Sequence, residues 1–186
     1  MHDCKGAIRW LRARADEYGY DARKIGVSGG SAGGHLVALL GTSAEVKELE
    51  GDVAGHTDQS SRVQAVVDFF GPSDFTTLAA EGHPEFTTSL VALWLGEPIS
   101  GKGKPAAVLA SPITHVGPDD APILIIQGTK DPLVMVEQST RLHEAYRKAG
   151  LDSQIEIIEG GGHGGPQFFD DARRQLIEKF FDKYVR

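Results

Sequence analysis

Gly29-Gly30-Ser31-Ala32-Gly33 sets a serine between glycines in the pattern Gly-x-Ser-x-Gly. The run Lys24-Ile25-Gly26-Val27-Ser28 precedes it and reads as a short strand. The run His35-Leu36-Val37-Ala38-Leu39-Leu40 follows and reads as a helix. A strand, a sharp turn and a helix form the setting that lifts a serine hydroxyl off the top of a parallel sheet. Glycines suit it because the turn is strained and its two backbones approach closely. The free N–H groups at the start of the helix face any negative charge that develops there. The chemistry implied is nucleophilic attack by Ser31, with the backbone N–H of Ala32 as one donor to the oxyanion.

A serine hydroxyl needs a base, and the base needs an orienting carboxylate. Asp131 lies in Gly128-Thr129-Lys130-Asp131-Pro132, just past an apolar strand-like run. His163 lies in Gly160-Gly161-Gly162-His163-Gly164-Gly165, just past another. Ser31, Asp131 and His163 therefore follow three strands in the order serine, acid, histidine, the α/β-hydrolase order. Groups at the carboxyl ends of parallel strands gather on one edge of the sheet. Singly, each has a plainer reading. With 23 glycines in the chain, a Gly-x-Ser-x-Gly match can arise by chance. Asp131 could cap a helix or a turn, and His163 could be a surface histidine. Their order and strand-end positions favour a joint site, and a loop with five glycines among six residues is costly to order without a purpose. His35, four residues after Ser31, is expected to pack or cap. His2, His56, His83, His115 and His143 fall in a terminus, loops, an insertion and a helix. Asp74 is the alternative acid, and Asp68 lies nearby.

The elements that must position these residues alternate between strand and helix, which implies an α/β fold with a parallel sheet of about four strands. Residues 3–18 read as an amphipathic helix, with Lys5, Arg9, Arg12 and Arg14 between its apolar positions. Residues 44–62 read as a polar excursion. Strands are expected at 24–28, 63–70, 122–128 and 154–158, the third almost continuously apolar as in a strand buried on both faces. Helices are expected over about 32–43, 136–149 and 167–184. Residues 73–118, broken by prolines, suit a small cap-like insertion with helices at 85–95 and 105–110. The whole of 1–186 reads as one domain.

The chain has 186 residues, 40% apolar and 24% charged, ordinary values for a globular protein. Acidic residues outnumber basic ones by 26 to 19, for a net charge of −7, which argues against a nucleic-acid partner. No apolar run reaches the roughly 20 residues of a membrane span. No basic segment leading into an apolar one opens the chain, so no signal peptide is expected. The lone Cys4 has no internal disulfide partner.

Several blocks together resemble a known family. They are His2-Asp3-Cys4-Lys5 through Trp10-Leu11, Tyr18-Gly19-Tyr20-Asp21, Gly29 through His35, Gly71-Pro72-Ser73-Asp74, Ser111 through Val116, Gln127 through Asp131, and Gly162-His163-Gly164. They are similar to α/β-hydrolase esterases of the hormone-sensitive-lipase-like group, and within it to the bacterial feruloyl/acetyl-xylan esterase-like (BD-FAE-type) lipases. The resemblance spans essentially the whole chain. It implies carboxylesterase activity on short-chain acyl or aryl esters, carried on decorated polysaccharides in some relatives, with Ser31, Asp131 and His163 catalytic. It implies no metal and no cofactor. Met135 stands where the family pattern suggests a proline. Family members also begin with further strands and a His-Gly-Gly-Gly-like oxyanion loop, which have no counterpart here. The strand at 24–28 would then be a sheet edge, an association hazard. Either another chain covers it, most simply in a homodimer, or the sequence is part of a longer protein. Loss of one oxyanion donor costs on the order of 10²–10³ in rate, so weak catalysis is expected. An oligopeptidase-like hydrolase and a catalytically impaired core kept as a binding module are the alternative readings.

Overall fold

The computed structural model describes residues 1–78, 82–96, 99 and 105–186. Four strands, β1 (Gly26–Gly30), β2 (Ala65–Phe69), β3 (Ile123–Gly128) and β4 (Ser153–Ile158), pair in parallel in the order β1-β2-β3-β4. Helices α1 (His2–Ala13) and α2 (Ala15–Tyr18) precede β1, and α3 (Ala32–Thr42) follows it. Between β2 and β3 lie α4 (Glu85–Leu95) and α5 (Pro105–Ala110). Helix α6 (Val136–Lys148) joins β3 to β4, and α7 (Asp171–Val185) closes the chain.

The apolar run of the central strands divides strictly by face. Val66, Ile123 and Ile125 join Val37 and Leu40 of α3 and Leu142 and Tyr146 of α6 in one core. Ala65, Val67, Leu124 and Ile126 join Phe168 and Phe180 in the other. Alternation of side chains about the pleat sends neighbours to opposite faces, and both faces are roofed by helices. That double cover is why β2 and β3 carry no polar stripe.

Four sequence expectations shift. The first strand pairs over 26–30 rather than 24–28. The Gln64 side chain takes the Ile25 N–H at 2.9 Å while the Gln64 N–H donates to Ile25 O at 2.8 Å, and paired register begins at Gly26 opposite Ala65. The first helix breaks at Arg14 (φ −107°, ψ 7°), and Gly19 ends its second piece in the left-handed conformation. Lys5 and Arg9 are not on a solvated face. Both are fully buried and hold the 43–55 segment, Lys5 through Ser43 O and Glu50, and Arg9 through Glu50, Val53 O and Gly55 O. Buried charges need such partners because desolvation costs several kcal/mol per ion, or about that order. The last helix starts at Asp171 rather than 167, because Asp170 caps it by accepting the Arg173 N–H at 2.9 Å. Of the 73–118 region, residues 79–81, 97–98 and 100–104, including Pro98, lie outside the described residues. No helix among the described residues is long and apolar enough to cross a membrane.

Candidate active site

Ser31 sits between β1 and α3 with φ 56° and ψ −120°, a conformation that strains any residue bearing a Cβ. The turn holds because its neighbours leave it room. A Cβ on Gly29 would lie 2.4 Å from Gly33 O, and one on Gly71 would lie 2.5 Å from the backbone of Gly34. The Ser31 N–H donates to Phe69 O at 2.9 Å, tying the elbow to the end of β2. Ala32 opens α3, so its N–H belongs to the first turn, whose N–H groups have no partner within the helix.

The loop after β4 carries His163. Gly160, Gly164 and Gly165 adopt φ of 73°, 92° and 119°, values that favour glycine. The loop packs so closely on the end of β3 that a Cβ on Gly128 would lie 2.3 Å from Gly161 O. Gly160, Gly164 and Gly165 thus serve local conformation, and Gly161 serves contact with β3.

Ser31 Oγ lies 2.7 Å from His163 Nε2, and His163 Nδ1 lies 2.7 Å from Asp131 Oδ2. In the neutral tautomer that donates from Nδ1 to Asp131, Nε2 accepts the Ser31 hydroxyl. A hydroxyl so held can lose its proton to Nε2 as it attacks an electrophile. The Asp131 side chain is fully buried. Its Oδ1 accepts the N–H groups of Leu133 and Val134 at 2.8 and 2.9 Å. The turn-capping reading of Asp131 therefore holds for one oxygen, while the other faces His163. Burial alone would raise this carboxyl. The hydrogen bond from His163 and those from Val134 and Leu133 outweigh it and hold the group below the ordinary carboxylate range.

The rival residues point elsewhere. His35 is buried in α3 and donates from Nε2 to Ala110 O at 2.7 Å. Burial holds its imidazole down to about 4, against that hydrogen bond, so it is neutral and packed as expected. Asp74 turns to Thr76 and accepts its N–H and hydroxyl at 2.9 and 2.6 Å. Asp68 lies beneath the elbow, accepting the Gly71 N–H at 2.9 Å.

Two residues beside the line escaped sequence reasoning. Gln127, fully buried, donates from Nε2 to Asp131 Oδ2 at 3.1 Å, while its Oε1 accepts the Ser139 hydroxyl at 2.9 Å. Its one visible signal is a polar side chain at the end of an otherwise apolar strand. The other is Phe70, whose ring lies 4.6 Å from that of His163.

Ser31 and Ala32 open onto a cavity of about 360 Å³, within the ordinary range for small-ligand sites. Its walls include Leu36, Phe75, Leu133 and, from α4, Leu90, Val91 and Trp94. No group of three or more potential metal ligands occurs among the described residues.

Comparison with known proteins gives a consistent picture. The BD-FAE family model matches residues 1–146. The probable carboxylic ester hydrolase LipM of Mycobacterium tuberculosis is 35% identical over 146 residues, 78% of this chain and 33% of its own. The chain thus spans about a third of the length of that curated relative. Among solved structures, a truncated carbohydrate esterase from gut microbiota superposes with TM-score 0.85 at 35% identity, covering 98% of this chain and 67% of that one. The butyrate-bound esterase Est2 of Thermogutta terrifontis does so with TM-score 0.71 at 31% identity, covering 98% and 62%.

Proposed function

The chain belongs to the BD-FAE family of α/β-hydrolase esterases, and from that premise we propose that it is a serine carboxylesterase acting on short-chain acyl or aryl esters. The observation that carries this reading is the unbroken hydrogen-bonded line Ser31–His163–Asp131, 2.7 Å at each step, beside an apolar cavity. In the proposed reaction Ser31 Oγ attacks the ester carbonyl carbon while His163 Nε2 takes its proton. The Ala32 N–H steadies the oxyanion. As the intermediate collapses, the C–O bond to the alcohol breaks and His163 returns the proton to the leaving oxygen. Water, activated by the same imidazole, then cleaves the acyl–Ser31 ester and releases the acid. Asp131 holds the imidazole in its tautomer throughout.

The apolar cavity walls favour a hydrocarbon acyl or aryl group over a charged one. Residues 73–118, through α4, are proposed to act as a cap on that side. Likeness to a carbohydrate esterase supports an ester carried on a polysaccharide, and likeness to a butyrate-bound esterase supports a short acyl group. We also propose that a second copy covers the free edge of β1 in a homodimer.

A fluorophosphonate probe tests the central claim, because only an activated serine reacts. The expected result is one adduct on Ser31, lost in Ser31→Ala and strongly reduced in His163→Ala, with hydrolysis of p-nitrophenyl acetate lost in parallel. An intact chain that leaves the probe untouched would support the impaired binding module instead.

A further inference from the structure

Phe70 follows β2 with φ 45°, a left-handed conformation that non-glycine residues rarely adopt. Its backbone is fixed on both sides. Phe70 N–H donates to Ile126 O at 2.9 Å, and the Gly71 N–H donates to Asp68 Oδ1 at 2.9 Å. The consequence is the direction of the side chain. The buried ring lies against the His163 ring at 4.6 Å between centroids and meets Phe168 edge-on at 4.9 Å. It also fills the space over two glycines. A Cβ on Gly30, just before Ser31, would lie 3.4 Å from the ring, and one on Gly164, just after His163, would lie 3.5 Å from it. The same ring therefore touches the loop that presents the nucleophile and the loop that presents the base.

We infer that Phe70 is a positioning residue: its ring is the spacer that sets the Ser31 loop against the His163 loop at hydrogen-bonding distance. The two loops follow β1 and β4, the outer strands of the sheet, with β2 and β3 between them. The ring spans this gap from β2. A strained backbone persists where its surroundings hold it, and here it aims an aromatic plate at the imidazole. Phe70 does not line the cavity beside Ser31, so its effect falls on the reacting atoms and not on substrate binding.

The inference rests on the esterase reading, and the test separates the two. Inactivation by a fluorophosphonate yields an affinity, KI, and a limiting rate, kinact, for each folded protein. Phe70→Leu and Phe70→Met remove the ring, while Phe70→Tyr keeps it. All three retain a Cβ and so the same backbone strain, which leaves the ring as the variable. Misplacement of a reacting group by about 1 Å costs on the order of 10²-fold. Phe70→Leu and Phe70→Met are therefore expected to lose about that factor in kinact with KI unchanged, and Phe70→Tyr to stay within a few-fold of the parent. The inference is overturned by a folded Leu or Met variant with parental kinact, by a loss confined to KI, or by a Tyr variant as slow as the Leu one. Should Phe70→Leu fail to fold, Phe70→Met carries the same comparison; failure of both makes the ring a requirement of the fold and overturns the positioning role. A parent protein that does not react at all overturns the esterase reading, and this is seen before any Phe70 variant is measured.

Discussion

Asp68 and His35 flank the elbow from below, and burial disfavours the charged form of both. Burial pushes the Asp68 carboxyl up to about 7, against the pull of the Gly71 N–H. A raised carboxyl contributes stability that is complete below its unfolded value near 3.8 and is lost as pH rises through about 7. Asp120, pushed up to about 6 by burial, acts in the same direction. His35 has the opposite sign. Its imidazole falls from 6.5 to about 4, so its contribution is complete above 6.5 and is lost as pH falls through about 4. Each pKa unit is worth about 1.4 kcal/mol, so the deeply buried Asp68 and His35 each contribute on the order of a few kcal/mol, and the partly exposed, solvent-screened Asp120 less. Between these limits the two offset one another. Asp68→Asn keeps an acceptor for Gly71 and removes the titration. Melting temperatures from about pH 4 to about pH 8 should therefore fall more steeply on acidification in Asp68→Asn than in the parent, and rise relative to the parent above about pH 7. Parallel curves for the two proteins would refute this. At this scale the site was largely legible. Ser31, Asp131 and His163 each follow a strand, and their order along the chain singled them out as a candidate site where each alone had a plainer reading. Gln127 and Phe70 were not, because a lone polar residue or phenylalanine at a strand end reads as core until its neighbours are known.

Helix α4 contributes Thr87, Leu90, Val91 and Trp94 to the cavity lining, yet Leu90, Leu93 and Trp94 remain exposed, Leu93 by 79%. Trp94 stands edge-on to His35 at 5.5 Å and to Phe75 at 6.0 Å, so it closes one side of the cavity against a rigid neighbour. Being half-exposed, it contributes less to the fold than to the shape of the cavity. Trp94→Ala should leave the melting temperature nearly unchanged and shift the preferred acyl group to a longer chain. Activity on the shortest ester should fall roughly tenfold, as expected for about 1–3 kcal/mol of lost apolar contact. A series of p-nitrophenyl esters from acetate to octanoate measures the shift, and an unaltered profile would count against a role for α4 in acyl recognition. The elements themselves followed from period and punctuation. Residues 85–95, 105–110 and the two central strands stand where the pattern put them. The misses have local causes. Asp170 takes the Arg173 N–H in the first turn of α7, and the Gln64 side chain takes the Ile25 N–H ahead of β1. The charges of Lys5 and Arg9 are matched by Glu50, far along the chain, which no helical periodicity can register.

In the sheet as a whole, β1 holds the edge, and its residues alternate between exposed and half-buried. An edge strand presents a row of unpaired backbone groups that another strand can join. The proposed homodimer is checked by light scattering after gel filtration. A species of twice 20.0 kDa is expected, and Ser28→Lys, at an exposed position of β1, should shift it toward monomer. A soluble monomer across the concentration range would sink the proposal. The parallel order of the four strands was legible in the sequence, because each is a short apolar run followed by a helix. What occupies the edge was not, since pairing between backbones leaves little mark on side chains. The hydrogen bond from Ser31 to His163 joins residues 132 apart in sequence. Closing so long a loop is entropically expensive, and contacts of this kind slow folding. The proposed nucleophile is therefore assembled only when β1 and β4 have both reached their places across the sheet. Before that moment Ser31 is an ordinary hydroxyl. A pulse of serine-directed probe during refolding would count finished molecules, and would trail any signal that reports helices alone.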